Sequence, residues 1–285
     1  MARVPGTLLR TLLRESGGDG VNGQRPIPFI GIYDLFSARL AASRFDTLFV
    51  SGFGLAASTY GLPDVGFMAW SDLLTFVHRL RHAFPGHHLL VDLDDGFGDA
   101  TMAAHVAHAV ERAGASGIVL EDQRRPRRCG HLHGKEILPL EEYLDKLRAV
   151  LAARDQLFVV ARTDATDHEE ILRRVRAFEG AGCDAVLADG LDDLELLAAI
   201  RESVTCPVVA NVIGGGRVPP CDRETLGRLG LNVLLYSTPC LFAAQRAIEL
   251  QLESLVEGRL LLSESLSRGV SLHSCQEVLK DSLWP

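Results

Sequence analysis

The sequence predicts an α/β protein, a (β/α)8 TIM barrel. Two observations carry this. From residue 26 onward, short apolar runs alternate with amphipathic stretches, eight times over about 230 residues. The apolar runs are continuous rather than alternating, as strands covered on both faces must be. A doubly wound open sheet is the rival, but no dinucleotide fingerprint follows any strand. The glycine run 214-GGG-216 lacks GxGxxG spacing, and Pro219-Pro220 bars an immediate helix.

Taken in order, 28-PFIGI-32 reads as the first strand, with a helix over 35–44. The second strand, 47-TLFVS-51, leads into a glycine-rich loop and a helix over 71–83. The third, 88-HLLVDLD-94, precedes a helix over 100–113. The fourth, 117-GIVLED-122, is followed by a long loop and a helix over 140–153. The fifth, 157-LFVVART-163, leads to a helix over 168–180. The sixth, 184-DAVLAD-189, leads to a helix over 191–202. The seventh, 207-PVVANV-212, precedes a short helix over 222–229. The eighth, 232-NVLLYS-237, precedes a helix over 239–256.

The ends of the chain divide from this body. Residues 1–25 read as an N-terminal helix and a flexible joint, the catalytic barrel spans 26–256, and 257–285 is a C-terminal extension with a helix toward its end. The N-terminal apolar run is broken by arginine and lacks a signal-peptide core, and no stretch approaches the ~20 apolar residues of a membrane span. The net charge of −8 gives no footprint for nucleic acid or an anionic membrane, and the one dense basic run, 124–128, is short. Six scattered cysteines form no CxxC pair, which argues against a disulfide framework and for a reducing, cytoplasmic setting.

Barrel active sites form at the C-terminal ends of the strands. There the sequence places Tyr33 and Asp34, then Ser51, Gly52, Phe53 and Gly54, then Asp92, Asp94 and Asp95. Glu121 and Asp122 follow on strand 4, Arg162 and Asp164 on strand 5, Asp189 on strand 6 and Asn211 on strand 7. Asp92 and Asp94 alternate, so both should face the interior while Leu93 faces the helices. With Glu121 on the next strand they form an oxygen-rich pocket whose mutual repulsion a hard divalent cation would relieve. Mg²⁺ fits that description, with Mn²⁺ the alternative. The small residues around Ser51 offer backbone N–H groups to a carboxylate or phosphate. Arg162, on an otherwise apolar strand, needs an anionic partner, in the substrate or among the carboxylates.

These motifs, including 47-TLFVSGFG-54, 61-GLPD-64, 90-LVDLDDGFGD-99, 120-LEDQ-123, 127-RRCGH-131 and 161-ARTDA-165, resemble the isocitrate lyase/phosphoenolpyruvate mutase superfamily over roughly residues 26–250. The run RRCGH is most similar to the small methylisocitrate and dimethylmalate lyases and to carboxyphosphonoenolpyruvate mutase. The resemblance implies a Mg²⁺-dependent barrel whose last helix is swapped between subunits of a homotetramer. It implies metal roles for Asp92, Asp94 and Glu121. It implies a 2-oxo-acid site at Ser51, Gly52 and Phe53, with Asp64, Gly130, Asp189 and Asn211 also on the substrate. Cys129 becomes a general acid on a lid over 122–138, working with His131, Arg162 and Glu121, and the cations around it suggest a lowered thiol pKa.

The chain departs from that pattern in places. The family lysine before RCGH is Arg127 here, Asp189 stands for a glutamate, Gly214 for another, and 236-YSTPCLF-242 replaces Y-P-L-S. The metal half of the pocket is kept and the distal half is altered. Three readings follow: a C–C lyase acting on a 2-hydroxy di- or tricarboxylate and releasing a 2-oxo acid; a phosphonate P–C enzyme of the mutase type; and a barrel that binds a 2-oxo acid without turnover.

Overall fold

The computed structural model describes residues 5–16, 25–131, 134–219, 221–258 and 270–280. Eight parallel strands close into a barrel in strict sequence order, β1 pairing with both β2 and β8. They are β1 (Ile27–Ile32), β2 (Thr47–Val50), β3 (His88–Asp92), β4 (Gly117–Glu121), β5 (Phe158–Thr163), β6 (Ala185–Ala188), β7 (Val208–Asn211) and β8 (Val233–Tyr236). The (β/α)8 expectation is met.

The helices are α1 (Pro5–Ser16), α2 (Leu35–Ala42), α3 (Gly52–Tyr60), α4 (Trp70–Ala83), α5 (Ala100–Arg112), α6 (Leu140–Ala153), α7 (His168–Ala181), α8 (Leu194–Ser203), α9 (Arg223–Arg228), α10 (Pro239–Val256) and α11 (Leu272–Lys280). Most start where a short polar side chain satisfies free N–H groups. Asp34, Ser51, Asp99, Asp167, Asp193 and Asp222 each accept a backbone N–H at an N-cap.

Two apolar cores follow from strand alternation. Inward residues such as Phe29, Phe49, Leu90, Val119, Val160 and Leu235 fill the barrel, while outward ones such as Val50, Val91, Ile118 and Val159 pack under the helices. Helix α1 belongs to the inner core: Leu9 and Leu13 are buried in it, each burial favourable by about 2 kcal/mol. Arg10 fixes the helix by a two-pronged pairing with Asp184 at 2.8 and 2.9 Å. Most of the joint 15–24 lies outside the described residues.

Three local expectations are corrected. The segment read as a plain glycine-rich loop begins α3, with Ser51 as N-cap and Gly61 closing the helix in the left-handed region at φ +62°. Strand β3 ends at Asp92, so Asp94 is not on a strand; it sits at φ +49°, a conformation that aspartate tolerates. The tail helix expected over 274–285 runs from Leu272 to Lys280, and residues 281–285 fall outside the described residues.

Candidate active site

The loop between β4 and α6 folds back over the C-terminal mouth of the barrel. Its base is pinched shut: Arg124 N–H donates to Glu136 O at 2.8 Å, and Leu138 N–H to Asp122 O at 2.8 Å. Gln123 stiffens the loop from within, bonding both the N–H and the C=O of Arg128 through its carboxamide at 2.9 and 2.7 Å. Beneath it Arg174 ties Asp122 and the Leu138 carbonyl to α7, both at 2.8 Å.

The loop places its residues over a cavity of about 30 Å³. Cys129, Gly130 and Arg127 form the roof. Ser51, Asp64 and Asp92 line one side, and Arg162, Asp189 and Asn211 another. Phe49, Val119, Leu187 and Leu235 from the inner core, with Phe53, Ile213, Ser237 and Thr238, complete the walls. Gly52, Asp94, Glu121 and His131 stand behind this lining. So the structure brings the sequence-derived residues to one place, although not all of them to the cavity surface.

Charges in the site are matched by arginine. Arg127, almost fully buried, donates from Nε to Glu121 Oε1 at 2.7 Å and bonds Asp64 through Nη1. Arg162 lies 3.2 Å from Glu121 Oε2, grips Asp164 at 2.9 and 3.1 Å, and meets Asp189 Oδ2 at 2.7 Å. Glu121 is therefore turned to two guanidinium groups, one on each of its oxygens. Among the described residues no three His, Cys, Asp or Glu side chains converge as ligands on one point. Arg127 and Arg162 partly offset the burial of Glu121 and its repulsion from Asp164 and Asp94.

Asp92 and Asp94 remain as a candidate metal pair. Asp92 Oδ2 and Asp94 Oδ1 lie within 3.2 Å of the point where a Cβ on Gly52 would stand, so a larger residue there would crowd both carboxylates. Asp94 Oδ1 is buried, 3.3 Å from Arg127 Nη1, and accepts no hydrogen bond. Burial pushes Asp94 up to about 7 against the pull of Arg127, and it raises Asp92 as well. Two converging, under-satisfied carboxylates suit a hard cation that keeps several waters.

The distal residues form a relay. Ser237 Oγ donates to Asn211 Oδ1 at 2.5 Å, and Asn211 Nδ2 donates to Asp189 Oδ1 at 3.0 Å. Burial alone would raise Asp189, but Arg162 outweighs it and holds the carboxyl well below the usual range. Burial pushes Glu121 up to about 8 and Cys129 up to about 12, with Asp64 adding to the effect at the thiol. The expectation of a lowered Cys129 pKa is thus overturned: Arg127 and Arg162 are already paired with carboxylates, and desolvation dominates. Cys129 is a thiol with a proton to give.

Sequence reasoning placed Asp164 at the end of strand 5 without a role, and it gave no role to Lys135 or Ser237. Lys135 Nζ donates to Gly130 O at 2.6 Å and lies 3.2 Å from Asp164. Gly130 must be glycine here, since a Cβ would stand 2.1 Å from Asp189 and 2.5 Å from Arg162.

A family model described as phosphoenolpyruvate phosphomutase matches residues 21–256. The chain belongs to this phosphoenolpyruvate mutase/isocitrate lyase family. It is 32% identical over 224 residues to 2,3-dimethylmalate lyase of Eubacterium barkeri, covering 76% of this chain and 77% of that protein. It is 33% identical over 231 residues to 2-methylisocitrate lyase of Shewanella oneidensis, covering 78% of each. Among solved structures, oxaloacetate acetylhydrolase bound to 3,3-difluorooxalacetate superposes with a TM-score of 0.86 at 30% identity, over 98% of this chain and 95% of that one. Two of these relatives are named lyases and the third an acetylhydrolase, while the family model carries a phosphomutase name.

Proposed function

We propose that the chain is a Mg²⁺-dependent C–C lyase that cleaves a 2-hydroxy di- or tricarboxylate and releases a 2-oxo acid. The observation that carries this is the half-buried Cys129 thiol, held in the roof of the same cavity as Asp92, Ser51, Arg162 and Asn211. Asp92 and Asp94 would hold Mg²⁺. When bound, the cation supplies positive charge to the hydroxyl and carboxylate oxygens of the substrate.

The chain's own groups supply the rest. Backbone N–H groups at the start of α3, by Gly52 and Phe53, bind the carboxylate of the 2-oxo-acid half. Glu121, held by Arg127 and Arg162 just behind the cavity lining, takes the hydroxyl proton in its ionised form. As the C–C bond breaks, the hydroxyl carbon becomes the carbonyl of the 2-oxo acid and the bonding pair passes to the departing carbon as an aci-carboxylate. Arg162 and Asn211 face that developing charge. Cys129 delivers its proton to the carbon, and the resulting thiolate lies in the field of Arg162. The closed loop excludes water, so the carbanion is quenched by the thiol.

The distal wall is apolar around Phe53, Leu187, Ile213 and Leu235, and Gly214 contributes no charge there. This supports a departing half with an uncharged substituent rather than an added carboxylate. Helix α10 supports a homo-oligomer, tetrameric on the family pattern: Ile248, Leu252 and Leu255 share one exposed face. Among the described residues no helix is long and apolar enough to cross a membrane; a cytoplasmic site of action remains part of this reading.

The test is 2-oxo-acid release. Purified protein with Mg²⁺ is offered 2,3-dimethylmalate, 2-methylisocitrate and related 2-hydroxy acids. Glyoxylate, pyruvate and oxaloacetate are assayed as products, with Asp94→Ala as control. Release that the control lacks supports the reading; phosphorus NMR turnover of a phosphonate in its place would replace it with P–C chemistry.

A further inference from the structure

We propose that the turn after β7 is the catch that docks the active-site loop, with the Arg217 backbone N–H holding His131 and fixing which ring nitrogen carries its proton. The inference rests on reading 123–131 as the cover of the site, and it adds a positioning role for the turn from Ile213 to Arg217, which no catalytic assignment includes.

The geometry begins with the turn itself. Gly216 N–H donates to Ile213 O at 2.9 Å, closing a four-residue turn, and Gly215 sits at φ +73°. That is the arrangement of a type II turn, whose third position favours glycine. The turn uses the Gly216 donor internally and leaves the next one, on Arg217, pointing outward. That N–H donates to His131 Nδ1 at 3.0 Å. Gly216 makes room for the ring: a Cβ there would stand 2.8 Å from His131 Nδ1 and 3.1 Å from Cε1.

An imidazole that accepts at Nδ1 carries its proton at Nε2 when neutral. His131 Nε2 is buried, lies 3.4 Å from Asp189 Oδ1 and has no hydrogen-bond partner. The catch therefore leaves an unspent donor beside Asp189, which is itself joined to Arg162 and Asn211. Docking of His131 also sets Gly130 against Arg162 and brings the Cys129 thiol over the cavity. A main-chain donor from one strand end thereby fixes a side chain 86 residues earlier in the chain.

Docking can be read without turnover, through alkylation of Cys129 by iodoacetamide, followed by peptide mass mapping of the intact, Mg²⁺-supplemented protein. Undocking hydrates the thiol and is expected to raise its labelling rate about tenfold. Gly216→Ala is expected to label at the raised rate. Gly214→Ala, whose Cβ meets only Phe242 at 3.9 Å, is expected to label like the wild type. His131→Asn keeps an acceptor at the place of Nδ1 and is expected to stay docked yet lose turnover, whereas His131→Ala loses both. Wild-type labelling in Gly216→Ala, or equal labelling in His131→Asn and His131→Ala, would overturn the proposal. Lack of turnover on every substrate would count against the lyase reading and leave this result standing.

Discussion

Arg127 Nε lies 2.7 Å from Glu121 Oε1, and both side chains are almost wholly shielded from solvent. The pair joins the covering loop to β4, and it stands where sequence reasoning placed a metal ligand. Arg127 also bonds Asp64, so its loss strands two carboxylates at once. Arg127→Lys keeps the charge and loses the fork, and kcat/KM is expected to fall about tenfold. Arg127→Met is expected to lower it at least about 100-fold. Because the loop can lift and admit water, the thermal midpoint should move far less than the rate. Steady-state kinetics beside a thermal melt separates the two.

The Cys129 thiol gives a pH signature. A general acid is lost when pH exceeds its pKa, and burial pushes this one up to about 12. Turnover should therefore show no descending limb from this group between about pH 7 and 10, where an ordinary thiol of about 8.5 would show one. Cys129→Ser should lower kcat at least about 1000-fold while oxalate binding in the presence of Mg²⁺ persists, because serine is a far weaker acid. A pH–rate profile and calorimetric titration read these out.

Asp189 carries a stability linkage. Its carboxyl is depressed in the folded state, chiefly because Arg162 overcomes the cost of burial. Such a group adds stability that is fully present above its unfolded pKa of about 3.9 and is lost as pH falls below it. Asp189→Asn should thus cost about 3 kcal/mol at pH 7, with the gap to wild type shrinking below about pH 4. Urea unfolding at pH 7, 5 and 3.5 gives the comparison.

The carboxylates by Gly52 make the metal claim testable apart from turnover. Asp92→Asn and Asp94→Asn should each weaken Mg²⁺ binding at least about tenfold. The far-UV circular dichroism should not change, since neither carboxylate is a helix cap or a core contact. Calorimetric titration of metal alone is sufficient.

Helix α10 exposes Ile248, Leu252 and Leu255 along one side. Leu252→Glu is expected to break an assembly into smaller species. Light scattering coupled to size exclusion should show the wild type as an oligomer and the variant at lower mass.

The barrel was legible because strands covered on both faces leave long apolar runs, and β1 to β8 all do. The site was legible as a set of strand ends, since Ser51, Asp92, Arg162, Asp189 and Asn211 meet at one mouth. Its electrostatics were not. Counting cations near Cys129 along the chain suggested a thiolate, but Arg127 is committed to Glu121 and Asp64 and the thiol is desolvated. Helix α3 was hidden by the two glycines that open it, although Ser51 and Gly61 are recognisable caps. The contact between His131 and Arg217 leaves no side-chain signal, because the donor is main chain. Asp94 reached the site through a left-handed turn, so strand alternation gave the right neighbour for the wrong local reason.

The most direct test of C–C cleavage at this site is proton NMR of the substrate panel turned over in D2O with Mg²⁺. The expected result is a 2-oxo acid together with a second acid carrying one deuterium at the carbon released from the broken bond, absent with Cys129→Ser. No 2-oxo acid from any member of the panel, while oxalate still binds with Mg²⁺, would contradict it.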